Sequence, residues 1–246
     1  MDNSEFEVPR VRRVRLFWLG GLFLVLLAAG LFVLVMRLHM AEEADKAQCK
    51  ANLHRIGAGL LKYANDYAGH MPVRLAEGQS PGKSDPMRSL SLLLPRYVPA
   101  AKTFVCKASG DAVSARNDCT TLLPQPHLVD EAPRDGQVCS FGYDDTKSLH
   151  TTPAKAQPDV AVMADAPHRG MLGYTHADCN SDNHRSDGQN VLYLDGRVAW
   201  HTTPEAGFER DNIFMSDDPL PGPTDSRVRQ VIGAVWNGSA WLHKGE

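Results

Sequence analysis

The densest run of side chains able to do chemistry is His176, Asp178, Cys179, Asp182, Asn183, His184 and Asp187. Oxygen-rich loops suit Ca²⁺, which takes six to eight oxygen ligands, so Asp178, Asp182 and Asp187 are candidate calcium ligands. The EF-hand spacing is absent, because no Glu falls at the offset where that loop needs a bidentate ligand. A zinc site through His168, His176, Cys179 and His184 would require irregularly spaced groups to converge as a tetrahedron. The plainer reading is a solvated loop built on Asx turns, with His184 as its hydrogen-bonded organiser and no cofactor.

Elsewhere the chemistry is sparse. The sequence holds no nucleophile elbow, zincin helix, phosphate loop or dinucleotide fingerprint, and a non-enzymatic protein is expected. Trp200, Trp236 and Trp241 are most simply packing residues, with stacking on a sugar ring the alternative. Of the five cysteines, Cys49 falls in a predicted helix apart from the rest. Cys106, Cys119, Cys139 and Cys179 remain as candidate disulfide partners in three connectivities, or as free buried thiols. A staple would explain the irregular stretch 107–137, which is long for an unstructured loop.

The elements that must carry these residues begin with an uncharged run, LFWLGGLFLVLLAAGLFVLVM, Leu16 to Met36. At 1.5 Å rise per residue it covers roughly 30 Å of hydrocarbon, longer than the apolar core of a cleaved signal peptide. Arg10, Arg12, Arg13 and Arg15 precede it, and basic residues are retained on the cytoplasmic side. The reading is a single-pass inner-membrane anchor, with the N-terminus in the cytoplasm and the remainder in the oxidising periplasm. Gly20, Gly21, Ala28, Ala29 and Gly30 are small residues that let neighbouring membrane helices approach closely.

The helix does not stop at Met36. Leu53, Ile56, Leu60, Ala64 and Tyr67 recur at three-and-four spacing, which predicts one nearly continuous helix over 16–68, with a bend allowed at Gly57 and Gly59 and a stop at Gly69 and Pro72. A short helix over Met87–Leu94 and a strand over Lys102–Cys106 follow. Strands are expected at Cys139–Tyr143 and Val160–Asp165. Asn190–Leu194 and Arg197–His201 form a hairpin through Asp195-Gly196, the pair suited to a type I′ turn. Val231–Trp236 and Ala240–His243 read as a second hairpin around Asn237-Gly238, with a helix over Val228–Val235 as the alternative. The fold class is thus α+β, a long helix packed on a small antiparallel sheet. The divisions are a basic arm 1–15, a transmembrane helix 16–36, an amphipathic stalk 37–69, a globular β domain 70–203 and a C-terminal extension 204–246. The net charge of −3, with both signs interspersed, excludes the clustered basic face that nucleic acid requires.

Several segments in order carry a resemblance. QCKANLHRIGAGLLKYANDYAGHMP, LLLPRYVPAAKTFVCKASGD, SFGYD, VMADA and NHRSDGQNVLYLDGRVAW together resemble the pseudopilin-like proteins of planctomycetes and verrucomicrobia, which pair a prepilin-type N-terminus with a C-terminal His, about nine residues, then Asp-Gly. The resemblance maps that signature onto His184, Asp195 and Gly196, here with ten intervening residues. It implies a pilin-like fold and a structural role in a type II secretion or type IV pilus-like apparatus, with the membrane, other pilin-like subunits, the secretion machinery or further copies of the chain as partners. The prepilin cleavage motif is degenerate: Arg15 runs straight into Leu16-Phe17-Trp18 and no Glu follows Phe17. That departure favours the alternative of a stand-alone anchored periplasmic module, binding calcium, glycan or an envelope partner, that has lost filament assembly.

Overall fold

A computed structural model describes residues 10–74, 86–109, 139–167, 179–214, 223–228, 235–236 and 241–242. Two compact units are present, Met1–Ala44 and Asp45–Glu246.

Helix α1, Arg10–Asp66, runs unbroken for 57 residues. It is the one helix among the described residues long and apolar enough to cross a membrane. From Trp18 to Met36 its large apolar side chains are 44–77% exposed. The second unit takes the other half of α1. There Cys49, Leu53, Ile56, Leu60 and Ala64 are at most 1% exposed and enter the main core. Burying each such Leu or Ile is worth about 1.5–3 kcal/mol, so this stripe holds the helix in the head. The stripe reaches less far than expected, because Tyr67 is exposed.

Gly57 and Gly59 lie inside the unbroken helix. They let it approach its neighbours: a Cβ on Gly57 would come within 2.7 Å of Leu192, and one on Gly59 within 2.7 Å of Val98. The helix ends with Ala68 and Gly69 both at positive φ, while Gly69 N–H donates to the Ala64 carbonyl. That six-to-one bond is the Schellman pattern.

Helix α2, Pro86–Leu90, continues as a 3₁₀ turn over Ser91–Leu93. The strand expected over Lys102–Cys106 is instead a 3₁₀ turn, Ala101–Phe104. Its β-branched and aromatic residues are buried, yet the segment has no strand beside it, and Phe104 O accepts a single bond from Ser140 N.

The sheet is an antiparallel meander of β1 Phe141–Tyr143, β2 Ala161–Asp165, β3 Gln189–Tyr193 and β4 Val198–His201, in that spatial order. The β3–β4 hairpin falls where the sequence places it, but its turn differs. Gly196 has positive φ and Asp195 does not, and Gly196 N bonds Tyr193 O. The result is the three-residue loop with a left-handed glycine rather than a two-residue type I′ turn. A separate two-stranded ribbon pairs β5 Val235–Trp236 with β6 Trp241–Leu242, setting Trp236 opposite Trp241. This is the second hairpin; a helix over Val228–Val235 is ruled out at its end.

One sheet face, with Phe141, Tyr143, Met163 and Leu192, packs on α1. Ala206, Ile213, Phe214 and Val228 form a second cluster with Ala161, Ala164, Val191 and Tyr193. Ala206, Ile213, Phe214 and Val228 thus pack on the head, and the stalk residues from Asp45 onward belong to the same unit.

Candidate functional site

The groups that converge do so at the buried end of the sheet. Asp165 is the last residue of β2 and Asn190 the second of β3. The turn between those strands ends in a compact loop in which Ser181 caps a 3₁₀ turn over Asp182–His184 by accepting from Asn183 N–H, and Arg185 and Ser186 take positive φ. A Cβ on Gly188 would fall on the His201 carbonyl oxygen and the Trp200 ring, so glycine is required where this loop enters β3. The loop delivers Asn183 and His184 to Asp165.

Asp165, fully buried, is surrounded by donors. Its Oδ2 accepts from Asn190 N–H at 2.7 Å and Asn190 Nδ2 at 3.0 Å, and its Oδ1 accepts from Asn183 Nδ2 at 3.2 Å. His184 Nε2 lies 3.3 Å from Oδ2 and 3.7 Å from Cys106 Sγ. The other ring nitrogen, Nδ1, is buried without a partner. The imidazole meets Trp200 edge to face at 5.3 Å, and Lys46 Nζ stands 4.9 Å from the indole centroid.

Cys106 is disulfide-bonded to Cys49 of α1, with Cα atoms 5.3 Å apart. This corrects the expectation that set Cys49 aside. Cys139 is buried, with its Sγ against Phe141 O at 3.3 Å, and Cys179 is exposed, while Cys119 lies outside the described residues. Further bonds fasten the same corner: Asn52 Nδ2 donates to Val105 O and Cys106 N–H to Ser140 Oγ. The Val105–Cys106 segment is thus locked to α1 within a turn of Cys49, and Ser140 is bonded to that segment in turn.

Of the other expected site residues, Asp182 and Asp187 are exposed, and Asp187 lies 3.9 Å from Lys46 Nζ. Asp178, His168 and His176 lie outside the described residues. Cys179 is exposed while His184 is buried. Among the described residues, the only His, Cys, Asp and Glu donors that gather into a group of three or more are those of Cys49, Cys106, Asp165 and His184, all within 4.8 Å of one another. Of the signature residues, His184 is central, whereas Asp195 and Gly196 serve the hairpin turn: Asp195 Oδ1 accepts from Arg197 N–H and Gly196 takes the left-handed position. Gly20, Gly21 and Gly30 meet nothing within 4 Å of an added Cβ, and Ala28 and Ala29 are exposed. Asp165 and Cys49 are the participants that sequence reasoning missed.

The arrangement is poorly suited to nucleophilic catalysis. In a catalytic triad the nucleophile and the orienting carboxylate bind opposite nitrogens of the imidazole. Here one nitrogen, Nε2, faces both sulfur and carboxylate.

At the open end of β4, Tyr193 Oη lies 2.7 Å from His201 Nε2 and donates to Ala206 O. Burial, with a lesser contribution from the Arg197 guanidinium, pushes the His201 pKa below its ordinary 6.5. A histidine depressed in the native state contributes stability that is full above its unfolded pKa and lost as pH falls through the window below it. The head should therefore lose stability as pH falls below the ordinary histidine value of 6.5, and His201→Gln should flatten that slope. Thermal unfolding at each pH checks this, and parallel slopes for the two proteins would refute it.

The molecule defined by these features is an α+β protein with a pilin-like layout, a long N-terminal helix whose apolar half is exposed and whose second half packs on a small four-stranded antiparallel sheet. Comparison with family models, curated proteins and solved structures finds no match.

Proposed function

We propose that the chain is a pseudopilin-like structural component of a type II secretion or type IV pilus-like apparatus, anchored in the bacterial inner membrane by α1 with its head in the periplasm. The observation that carries this reading is α1 itself. One unbroken helix is apolar and uncovered over Trp18–Met36, then buries a stripe in the head from Cys49 to Ala64. The arginines before Trp18 support a cytoplasmic N-terminus. A disulfide between Cys49 and Cys106 suits an oxidising compartment.

Lateral association is tested at Gly30, where an added side chain meets open space. Gly30→Cys, in a chain whose Cys119 and Cys179 are serine, should form disulfide-linked oligomers on mild oxidation of native membranes. A strictly monomeric pattern would overturn the assembly reading. It would favour the second one, an anchored binding module without filament assembly, to which the absence of a Glu after Phe17 points.

A further inference from the structure

We propose that Cys49, Cys106, His184 and Asp165 form a zinc site when the Cys49–Cys106 disulfide is reduced, so that the same four residues clasp α1 to the head in either redox state. The donor set is two sulfurs, one imidazole nitrogen and one carboxylate oxygen, a combination typical of zinc. All four residues are at most 2% exposed, and their donor atoms lie within 4.8 Å of one another. The edges already present have the size that coordination demands. With Zn–S about 2.3 Å and Zn–N and Zn–O about 2.05 Å, a tetrahedron has an N···S edge of about 3.6 Å and an N···O edge of about 3.3 Å. His184 Nε2 stands 3.7 Å from Cys106 Sγ and 3.3 Å from Asp165 Oδ2. The sulfurs must part to an S···S edge of about 3.8 Å once their bond is gone.

An outer shell is in place around the carboxylate and Cys106, though not at His184 Nδ1. Ligating carboxylates are usually held by further hydrogen bonds, and Asp165 is held by Asn183 and Asn190. Cys106 N–H is fixed by Ser140 Oγ. The carboxylate and imidazole lie against the sulfurs at the centre of the corner, where a disulfide needs neither.

The steps balance as follows. A dithiol reductant gives two electrons and two protons to the Cys49–Cys106 bond and itself closes to a disulfide. Zn²⁺ then binds both sulfurs as thiolates, releasing two protons to solvent. The neutral imidazole offers the Nε2 lone pair with its proton on Nδ1. Oxidation by a disulfide of the partner class reverses the sequence and expels the metal.

The test uses the full chain in detergent with Cys119 and Cys179 replaced by serine. It is reduced with a phosphine until alkylation and mass measurement show free thiols, then exposed to Zn²⁺ and desalted. About one zinc per reduced chain and none per oxidised chain is expected. Co²⁺ in place of Zn²⁺ should give the intense visible bands of a tetrahedral site and a thiolate-to-metal charge-transfer band in the near ultraviolet. His184→Gln should weaken zinc binding by at least about tenfold, the lower bound for loss of an outer-shell partner. Should that variant fail to fold by circular dichroism, the reduced and oxidised parent chains decide alone. A reduced chain that retains no zinc, equal zinc in both redox states, or a cobalt spectrum without the thiolate band would each overturn the proposal.

Discussion

Replacing Cys49 and Cys106 together by alanine is expected to lower the stability of the head by about 4 kcal/mol and its Tm by about 10 °C, measured by thermal unfolding of the oxidised protein. The two residues are 57 positions apart. Cross-linking them removes from the unfolded chain the entropy of closing a loop of that length, about 14 cal/mol/K on the chain-entropy account. The effect is large because of what the loop contains. It includes the buried stripe of α1, the chain reversal after Gly69 and the segment through Val98 and Phe104 that covers the stripe. Without the crosslink that segment is held to α1 by packing and by bonds such as Asn52 Nδ2 to Val105 O. A shift below about 2.5 °C, less than about 1 kcal/mol on the same scale, would show that these contacts suffice without the crosslink.

The parts of the fold written in local periodicity were legible. Residues 16–68 carry an apolar run followed by a three-and-four repeat, and α1 spans Arg10–Asp66. Asp195-Gly196 between apolar runs marks the hairpin, though the choice of turn depends on how the strands register, which the dipeptide alone does not decide. What lacked a local signal was read less well. Thr103, Phe104 and Val105 have strand-like side chains, but a strand needs a neighbour to pair with and this segment has none. Ala206, Ile213, Phe214 and Val228 follow no period, because they reach the second sheet face from outside any strand.

That cover also explains why Asp165 escaped notice. With both faces of the sheet buried, β2 reads Ala-Val-Met-Ala-Asp, all five residues buried and with no alternation. An acidic residue closing such a run passes for a strand end, and only the three-dimensional return of Asn183, His184 and Asn190 shows it to be the centre of a network. Cys49 escaped for a related reason. It stands one helical turn before Leu53 and so continues the buried stripe, but the sequence reading began that stripe at Leu53, and the partner of Cys49 is brought up by a turn with no periodic signature.

The centre of that network is where a single substitution should do most harm. Asp165→Ala is expected to destabilise the head by about 3–5 kcal/mol, measured by urea unfolding with the m-value unchanged. The carboxylate accepts from Asn190 N–H, Asn190 Nδ2 and Asn183 Nδ2 and faces His184 Nε2. Asn183 keeps a second acceptor in Ser140 O at 2.6 Å. Asn190 N–H and His184 Nε2 lose their carboxylate partner in a dry interior, at about 1–3 kcal/mol for each unsatisfied group. Asp165→Asn separates the contributions. Its carbonyl can take the place of Oδ2, keeping the acceptor for Asn190 and His184, while its amide turns toward Asn183, which still has Ser140. The loss should therefore be well below that of alanine. Equal losses for the two variants would mean that the negative charge, rather than the pattern of acceptors, holds the loop 181–188 against the sheet. A loss under about 1 kcal/mol for alanine, the size of one ordinary hydrogen bond, would mean that the loop is held by its own turns and by Gly188 alone.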